Sequence, residues 1–258
     1  MSGNTAQVDV AIVSGGTTGI GLAIVRELRA NGLAVGLFSS SKQKVKDAEI
    51  LLGEEPGPPY HVAVVDVASS AEVVAFHEAI EAKLGRVGTL VCNAGISPKH
   101  NGQRTSIHET SDQEWNGTFD INLSGTFHCI KACVPSMLAE NYGRIVLIGS
   151  IASRIIPRMA GAAYVASKSA LSGIMRSVIS EYGDFGVTCN IVAPGNIATS
   201  MVANKPQVEI DAIVSRIPAG RLGTPSDIAQ VVSLLCRPTS DFISGAIIDV
   251  TGGEFAAS

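Results

Sequence analysis

The chain has 258 residues, 46% of them hydrophobic and 16% charged, with 19 basic and 23 acidic side chains for a formal charge of −4. A polymer of this size buries roughly three quarters of its unfolded surface and needs neither disulfides nor metals to hold together. The slight acidity and the lack of like-charged blocks argue against nucleic acid or an anionic membrane as a partner.

Short runs rich in Val, Ile and Leu alternate along the chain with longer segments of helical period. Strands are predicted over Val8–Ser14, Ala34–Ser39, His61–Val65, Thr89–Cys92, Arg144–Gly149, Thr188–Val192 and Ala246–Val250. Helices are predicted near Ile20–Asn31, Lys42–Leu52, Ala71–Leu84, Asp112–Glu140, Tyr164–Tyr182 and Pro225–Leu235. Seven strands with helical crossovers define an α/β, doubly wound, mostly parallel sheet covered on both faces. A strand buried on both sides reads as continuous apolar sequence, so the high hydrophobic fraction is architectural. The longest such runs, as at Ile145–Ile148, are far short of the roughly 18 residues that span a bilayer. Met1–Val8 lacks a basic segment ahead of an apolar core, which predicts no signal peptide and a cytoplasmic protein.

No linker or repeat divides the chain, so residues 1–258 read as one domain, with Glu54–Pro59 a turn. Segments 96–111 and 199–222 lack a clear period, the second apart from a weak helical pattern. Long loops after strands of such a sheet lie at its carboxyl edge, where ligands bind. Cys92, Cys129, Cys133, Cys189 and Cys236 are odd in number and sit in apolar runs, as reduced buried thiols do. Cys129 and Cys133 are spaced to pair as metal ligands, but no His or Cys cluster lies near them in sequence; core packing is the favoured reading, and no metal is expected.

The first strand runs into Ser14-Gly15-Gly16-Thr17-Thr18-Gly19-Ile20-Gly21, after which helical period begins. A glycine-rich strand-to-helix turn brings a pyrophosphate against bare backbone and the positive end of a helix. The spacing here is G-x-x-x-G-x-G, which departs from G-x-G-x-x-G and resembles the fingerprint of the short-chain dehydrogenase/reductase family. The resemblance continues through Asp66-Val67, Cys92-Asn93-Ala94-Gly95, Asn122, Ser150, Tyr164-x-x-x-Lys168 and Pro194-Gly195-x-x-x-Thr199, and covers about residues 8 to 253. Within that family the chain is similar overall to 3-oxoacyl-carrier-protein reductases.

The resemblance implies a Rossmann-type domain and a nicotinamide dinucleotide. Gly15, Thr17, Thr18, Gly19, Ile20 and Gly21 would form the diphosphate turn; Asp66 and Val67 would flank the adenine; Asn93, Ala94 and Gly95 would stabilise the fourth strand and border the ribose. Pro194, Gly195, Ile197 and Thr199 would lie at the carboxamide end of the nicotinamide. At the end of the second strand a carboxylate would favour NAD, but Ser39 stands there, followed by Ser40, Ser41 and Lys42, with Lys44 close by. NADP is therefore favoured over NAD, although the arginine that many NADP users of the family carry is missing.

Tyr164 and Lys168 lie one helical turn apart on one face, and an ammonium near a phenol lowers its pKa, so Tyr164 is expected to be the acid/base of a hydride transfer. By the resemblance, Ser150 would bond the reacting oxygen, Lys168 would also hold the nicotinamide ribose, and Asn122 would anchor a relaying water through a local backbone distortion. Ser150 precedes Tyr164 by one residue more than is commonest in the family, which makes Ser153 the rival hydroxyl; Ser150 is preferred because it directly follows the apolar strand.

Substrate-facing residues are expected from loops 96–111, 151–163 and 199–222. Lys99, His100, Arg104, Arg154 and Arg158 in the first two suit either an anionic substrate or an ordinary solvated surface. The stretches that would dock an acidic carrier read Leu138-Ala139-Glu140-Asn141 and Asp184-Phe185-Gly186, neutral or acidic. A small free alcohol or carbonyl compound is therefore favoured over a 3-oxoacyl thioester on carrier protein or CoA. A non-catalytic nucleotide-binding module is the reading from another class. A homotetramer or homodimer is the assembly the resemblance implies.

Overall fold

The computed structural model describes residues 10–199 and 206–256. Val8 and Asp9 of the first predicted strand, and positions 200–205 of the loop 199–222, lie outside the described residues. Seven strands, β1 (Val10–Ser14), β2 (Ala34–Ser39), β3 (Tyr60–Val64), β4 (Val87–Cys92), β5 (Gly143–Ile148), β6 (Val187–Pro194) and β7 (Ile247–Val250), pair in parallel in the order β3-β2-β1-β4-β5-β6-β7. Every residue of the central strands β1, β4, β5 and β6 is buried, whereas β3 and β7 at the edges are partly exposed.

Alternate residues of each strand feed two cores, as a period of two requires. Val10 and Ile12 of β1 pack on one face against helices α3 (Ser70–Leu84), α5 (Gly125–Glu140) and α6 (Ala162–Tyr182). Ala11 and Val13 pack on the other against α1 (Gly19–Ala30), α2 (Lys42–Gly53) and α8 (Pro225–Cys236). The weak pattern within 199–222 becomes α7 (Gln207–Val214). The five cysteines are free and buried; Cys92, Cys129, Cys133 and Cys189 share the first core, and Cys236 lies in the second.

One predicted helix departs from expectation. In place of a continuous rod over Asp112–Glu140, α4 (Asp112–Phe119) passes through a π-helical turn at Asp120–Ser124 before α5 begins. The turn draws Asn122, in the middle of the rod, fully into the interior.

At the opposite, amino edge of the sheet, Arg144 of β5 is 3% exposed and forms no ion pair among the described residues. Its guanidinium donates to the carbonyls of Gly143, Gly186, Arg237 and Pro238 and stacks over Tyr142 at 4.4 Å. It ties the start of β5 to the turns before β6 and after α8. Arg144→Ala removes the four charge-assisted hydrogen bonds of this buried side chain and its contact with Tyr142, and we expect a loss of about 3 kcal/mol of unfolding free energy, read as a lower urea midpoint at unchanged m.

Candidate active site

β1 and β4 are neighbours, and their carboxyl ends open a crevice at the switch point of the strand order. Gly15 and Gly19 adopt φ of +63° and +54°, conformations that a side chain disfavours. A Cβ on Gly15 would lie 2.9 Å from the Ala94 Cα, and one on Gly21 would run into the Gly15 carbonyl oxygen. Asn93 braces the turn from β4: its carboxamide donates to the carbonyls of Ser14 (3.1 Å) and Gly15 (2.9 Å), while the backbone N–H groups of Asn93 and Ala94 both donate to the Ser14 hydroxyl.

Thr17 is buried inside this turn, Thr18 and Gly19 are exposed at its tip, and Ile20 is half-buried. No side chain caps α1 and no acid stands in its first turn, whereas α2, α3, α4 and α8 are capped by Ser41, Ser69, Ser111 and Thr224. A backbone cradle at an uncapped helix N-terminus fits a diphosphate. Gly21→Ala, which fills the cradle, is expected to weaken dinucleotide binding at least tenfold, about 1.4 kcal/mol, by fluorescence titration with little change in the far-UV spectrum.

The remaining predicted contacts border the same crevice. Ser39 is half-buried at the end of β2, its hydroxyl accepting from the Ser41 N–H; Ser40 is exposed; Lys42 and Lys44 lie in the first turn of α2. Asp66 is exposed and accepts from the Ala68 N–H, while Val67 is buried and packs against Gly125. Beyond Pro194, Gly195 nearly touches Thr251; Ile197 bridges to Gly223; a Cβ on Gly19 would come within 3.6 Å of the Thr199 methyl. The loop after β6 thus closes over the mouth of the glycine turn.

Between β4, β5 and α6 sit the four polar residues singled out for chemistry. The Ser150 hydroxyl lies beside the Tyr164 phenol, where it favours the phenolate. Ser153, in the short 3-10 turn Ile151–Ser153, directs its hydroxyl back to the Ser150 carbonyl at 2.7 Å. Of the two rival serines, Ser150 is the one against the phenol. Lys168 is buried and donates to the Ile148 carbonyl at 2.7 Å; a Cβ on Gly95 would lie 3.2 Å from its Nζ and 3.3 Å from the Asn122 Oδ1.

The expected lowering of the phenol pKa by Lys168 is not what the structure gives. Tyr164 is only half-buried as a whole residue, yet its hydroxyl end is enclosed, and burial pushes the phenol above its ordinary value while the Ser150 hydroxyl works the other way. Burial lowers Lys168 from 10.5 to about 8. Across that interval the unfolded chain binds the proton that the folded chain has released, so this group makes folding more favourable as pH rises through the window. Lys168→Met is expected to remove a rise of up to roughly 3 kcal/mol between about pH 7 and about pH 10, measured by paired urea melts.

The cations of the substrate loops are largely exposed, yet most are tied to neighbouring groups of the protein. Lys99 donates to the Met159 carbonyl, and Arg104 to those of Pro157 (2.8 Å) and Ala160 (3.4 Å), so loop 96–111 is tied to loop 151–163. His100 pairs with Glu114 at 2.7 Å. Arg154 approaches Asp249 at 2.8 Å, as an ion pair by distance though not a well-directed hydrogen bond, and lies over Phe255. Arg158 is exposed, as are Ile156 and Met159 beside it. Sequence reasoning passed over two residues that shape the site, Ser14 and Ser167. Each carried a faint signal: a hydroxyl ending the first strand, and a hydroxyl three residues after Tyr164 on the same helical face.

Such a crevice, with a hydroxyl pair and a buried lysine at its edge, defines a nucleotide-dependent α/β oxidoreductase. A family model described as Enoyl-(Acyl carrier protein) reductase matches residues 15–254. A 3alpha-hydroxysteroid dehydrogenase of Mediterraneibacter gnavus is 35% identical over 244 residues, 94% of this chain and 95% of that protein. The 3-oxoacyl-[acyl-carrier-protein] reductase FabG of Salmonella typhimurium is 34% identical over 95% of this chain and 97% of its own. Among solved structures, a 3-oxoacyl-[acyl-carrier protein] reductase from Brucella melitensis superposes with a TM-score of 0.91 at 32% identity, covering 96% of this chain and 91% of that one. Another from the same organism, with bound NAD, gives 0.89 at 31% identity over 98% and 93%. The chain belongs to the short-chain dehydrogenase/reductase family, and it is an oxidoreductase of CH–OH and carbonyl groups.

Proposed function

We propose that this oxidoreductase uses NADP in preference to NAD to interconvert a small free alcohol and its ketone or aldehyde, with Tyr164 as the acid/base. The observation that carries the reading is the Ser150 hydroxyl set beside the Tyr164 phenol at the carboxyl edge of the sheet, with Lys168 buried one helical turn along and bonded to the Ile148 carbonyl. Gly15, Thr17, Thr18, Gly19, Ile20 and Gly21 would hold the diphosphate, Asp66 and Val67 the adenine, Asn93 to Gly95 with Lys168 the ribose, and Pro194, Gly195, Ile197 and Thr199 the nicotinamide. When bound, the nicotinamide gives or takes the hydride.

The chain's own part is proton and charge. In the reducing direction the Ser150 and Tyr164 hydroxyls bond the carbonyl oxygen. As the carbonyl carbon gains the hydride, the Tyr164 O–H bond breaks and its proton passes to that oxygen, leaving a phenolate. Holding Tyr164 protonated, as burial does, suits this direction. The Lys168 ammonium stabilises the phenolate, and Asn122 holds the route by which Tyr164 is reprotonated from solvent.

Support for NADP comes from the end of β2, where no carboxylate repels a 2′-phosphate. Ser39 and Ser40 instead lie ahead of the positive end of α2, with Lys42 and Lys44 in its first turn. Support for a free substrate over a carrier-bound one comes from the acidic and neutral stretches at Glu140 and Asp184. The cytoplasm is the expected compartment. Self-association into a homotetramer or homodimer suits the exposed Phe127 of α5 and the fully exposed Phe242.

The test is a panel of ketones, aldehydes and alcohols with each dinucleotide. NADPH-dependent turnover is expected, with Tyr164→Phe lowering kcat by ~10³-fold or more while sparing dinucleotide binding. Ser39→Asp is expected to reverse the cofactor preference. Turnover with NADH alone overturns the NADP assignment, and faster turnover of a carrier-linked ketoester than of any free ketone overturns the substrate class.

A further inference from the structure

Asn122 is fully buried, and its carboxamide uses both Nδ2 hydrogens and one lone pair of Oδ1. Its Oδ1 accepts from the Ile96 N–H at 2.8 Å; its Nδ2 donates to the Ile96 carbonyl at 3.0 Å and to the Ser167 hydroxyl, also at 3.0 Å. Ser167 is 0% exposed, and it donates onward to the Tyr164 carbonyl at 2.8 Å. A serine bonding the carbonyl three residues earlier is ordinary on a helix. Accepting in addition from an amide on another helix is not, because it makes this hydroxyl the acceptor in what is, among the described residues, the sole side-chain hydrogen bond between the π-helical turn and α6. The direction is fixed at each step: amide N–H to hydroxyl oxygen, hydroxyl O–H to carbonyl oxygen.

We infer that Ser167 is a positioning residue for the reaction, holding the Asn122 carboxamide in one orientation and setting its distance from Tyr164. The inference rests on the proposed roles of Asn122 and Tyr164. Without the Ser167 oxygen, one buried Nδ2 hydrogen loses its protein partner, and the amide is driven to rotate in search of another. Gly95 and Lys168, beside the Asn122 Oδ1, are the groups that rotation disturbs. Ser167 touches neither substrate nor the reacting atoms and acts only through Asn122.

Ser167→Ala should therefore lower kcat about tenfold or more while KM and the dissociation constant of NADPH change less than about threefold. Ser167→Thr, which keeps the hydroxyl, should restore most of the loss. In a double-mutant cycle, Ser167→Ala added to Asn122→Ala should cost nothing further in kcat, because both act through one group. If Ser167→Ala fails to fold, Ser167→Cys, of similar volume but a weak hydrogen-bonding group, replaces it in the cycle with the same expectation. Wild-type kcat in a folded Ser167→Ala, or multiplied losses in the cycle, overturns the inference while leaving the proposed reaction standing. Full turnover in Tyr164→Phe, run alongside, overturns the reaction itself and the inference with it.

Discussion

The site depends on how β1 and β4 part. The two strands lie side by side, but β1 continues into α1 on one face of the sheet while β4 leads toward α4 and α5 on the other. Their ends diverge, and a crevice opens between them. Four hydrogen bonds span its base, joining Ser14 and Gly15 on one side to Asn93 and Ala94 on the other. The glycine turn rests on that brace from one side. Gly95, two residues past Asn93, borders Asn122 and Lys168 from the other. Cofactor cradle and proton machinery thus share one anchor, and neither can shift without the other.

Much of this architecture was legible because a parallel strand buried on both faces leaves an unbroken apolar signature. The central strands were read to within about two residues, and the glycine turn, Ser150, Tyr164 and Lys168 stood out by spacing and position. The π-helical turn was legible only as the local backbone distortion that the family resemblance implied at Asn122, and not from periodicity. Asn122 reads as one more polar residue in a long amphipathic helix, and its burial depends on Ile96 and Ser167, neither near it in sequence. The preference for Ser150 over Ser153 was made on its place directly after the apolar strand, and the 3-10 turn, in which the Ser150 hydroxyl accepts from the Ala152 N–H, sends the Ser153 hydroxyl back to the Ser150 carbonyl.

The largest difference between expectation and structure concerns charge. Spacing along a helix says that an ammonium sits near a phenol; it does not say how deep both lie. Depth decides here: desolvation outweighs the opposing pull of the Ser150 hydroxyl on the phenol and that of Cys92 on the ammonium, so the phenol keeps its proton and the ammonium gives its proton up more readily. Both groups are displaced toward their neutral forms, and the resting site stores a proton on oxygen.

The cations of the substrate loops have a consequence for how this chain can change. Since Lys99 and Arg104 reach across to the backbone of 157–160, the two loops over the mouth form one jointly supported rim. Carbonyl oxygens, unlike side chains, survive any substitution, so residues such as Ile156 and Arg158 are free to vary while the scaffold that presents them stays put. Selectivity can drift on that rim without rebuilding it, provided the two reaching cations persist.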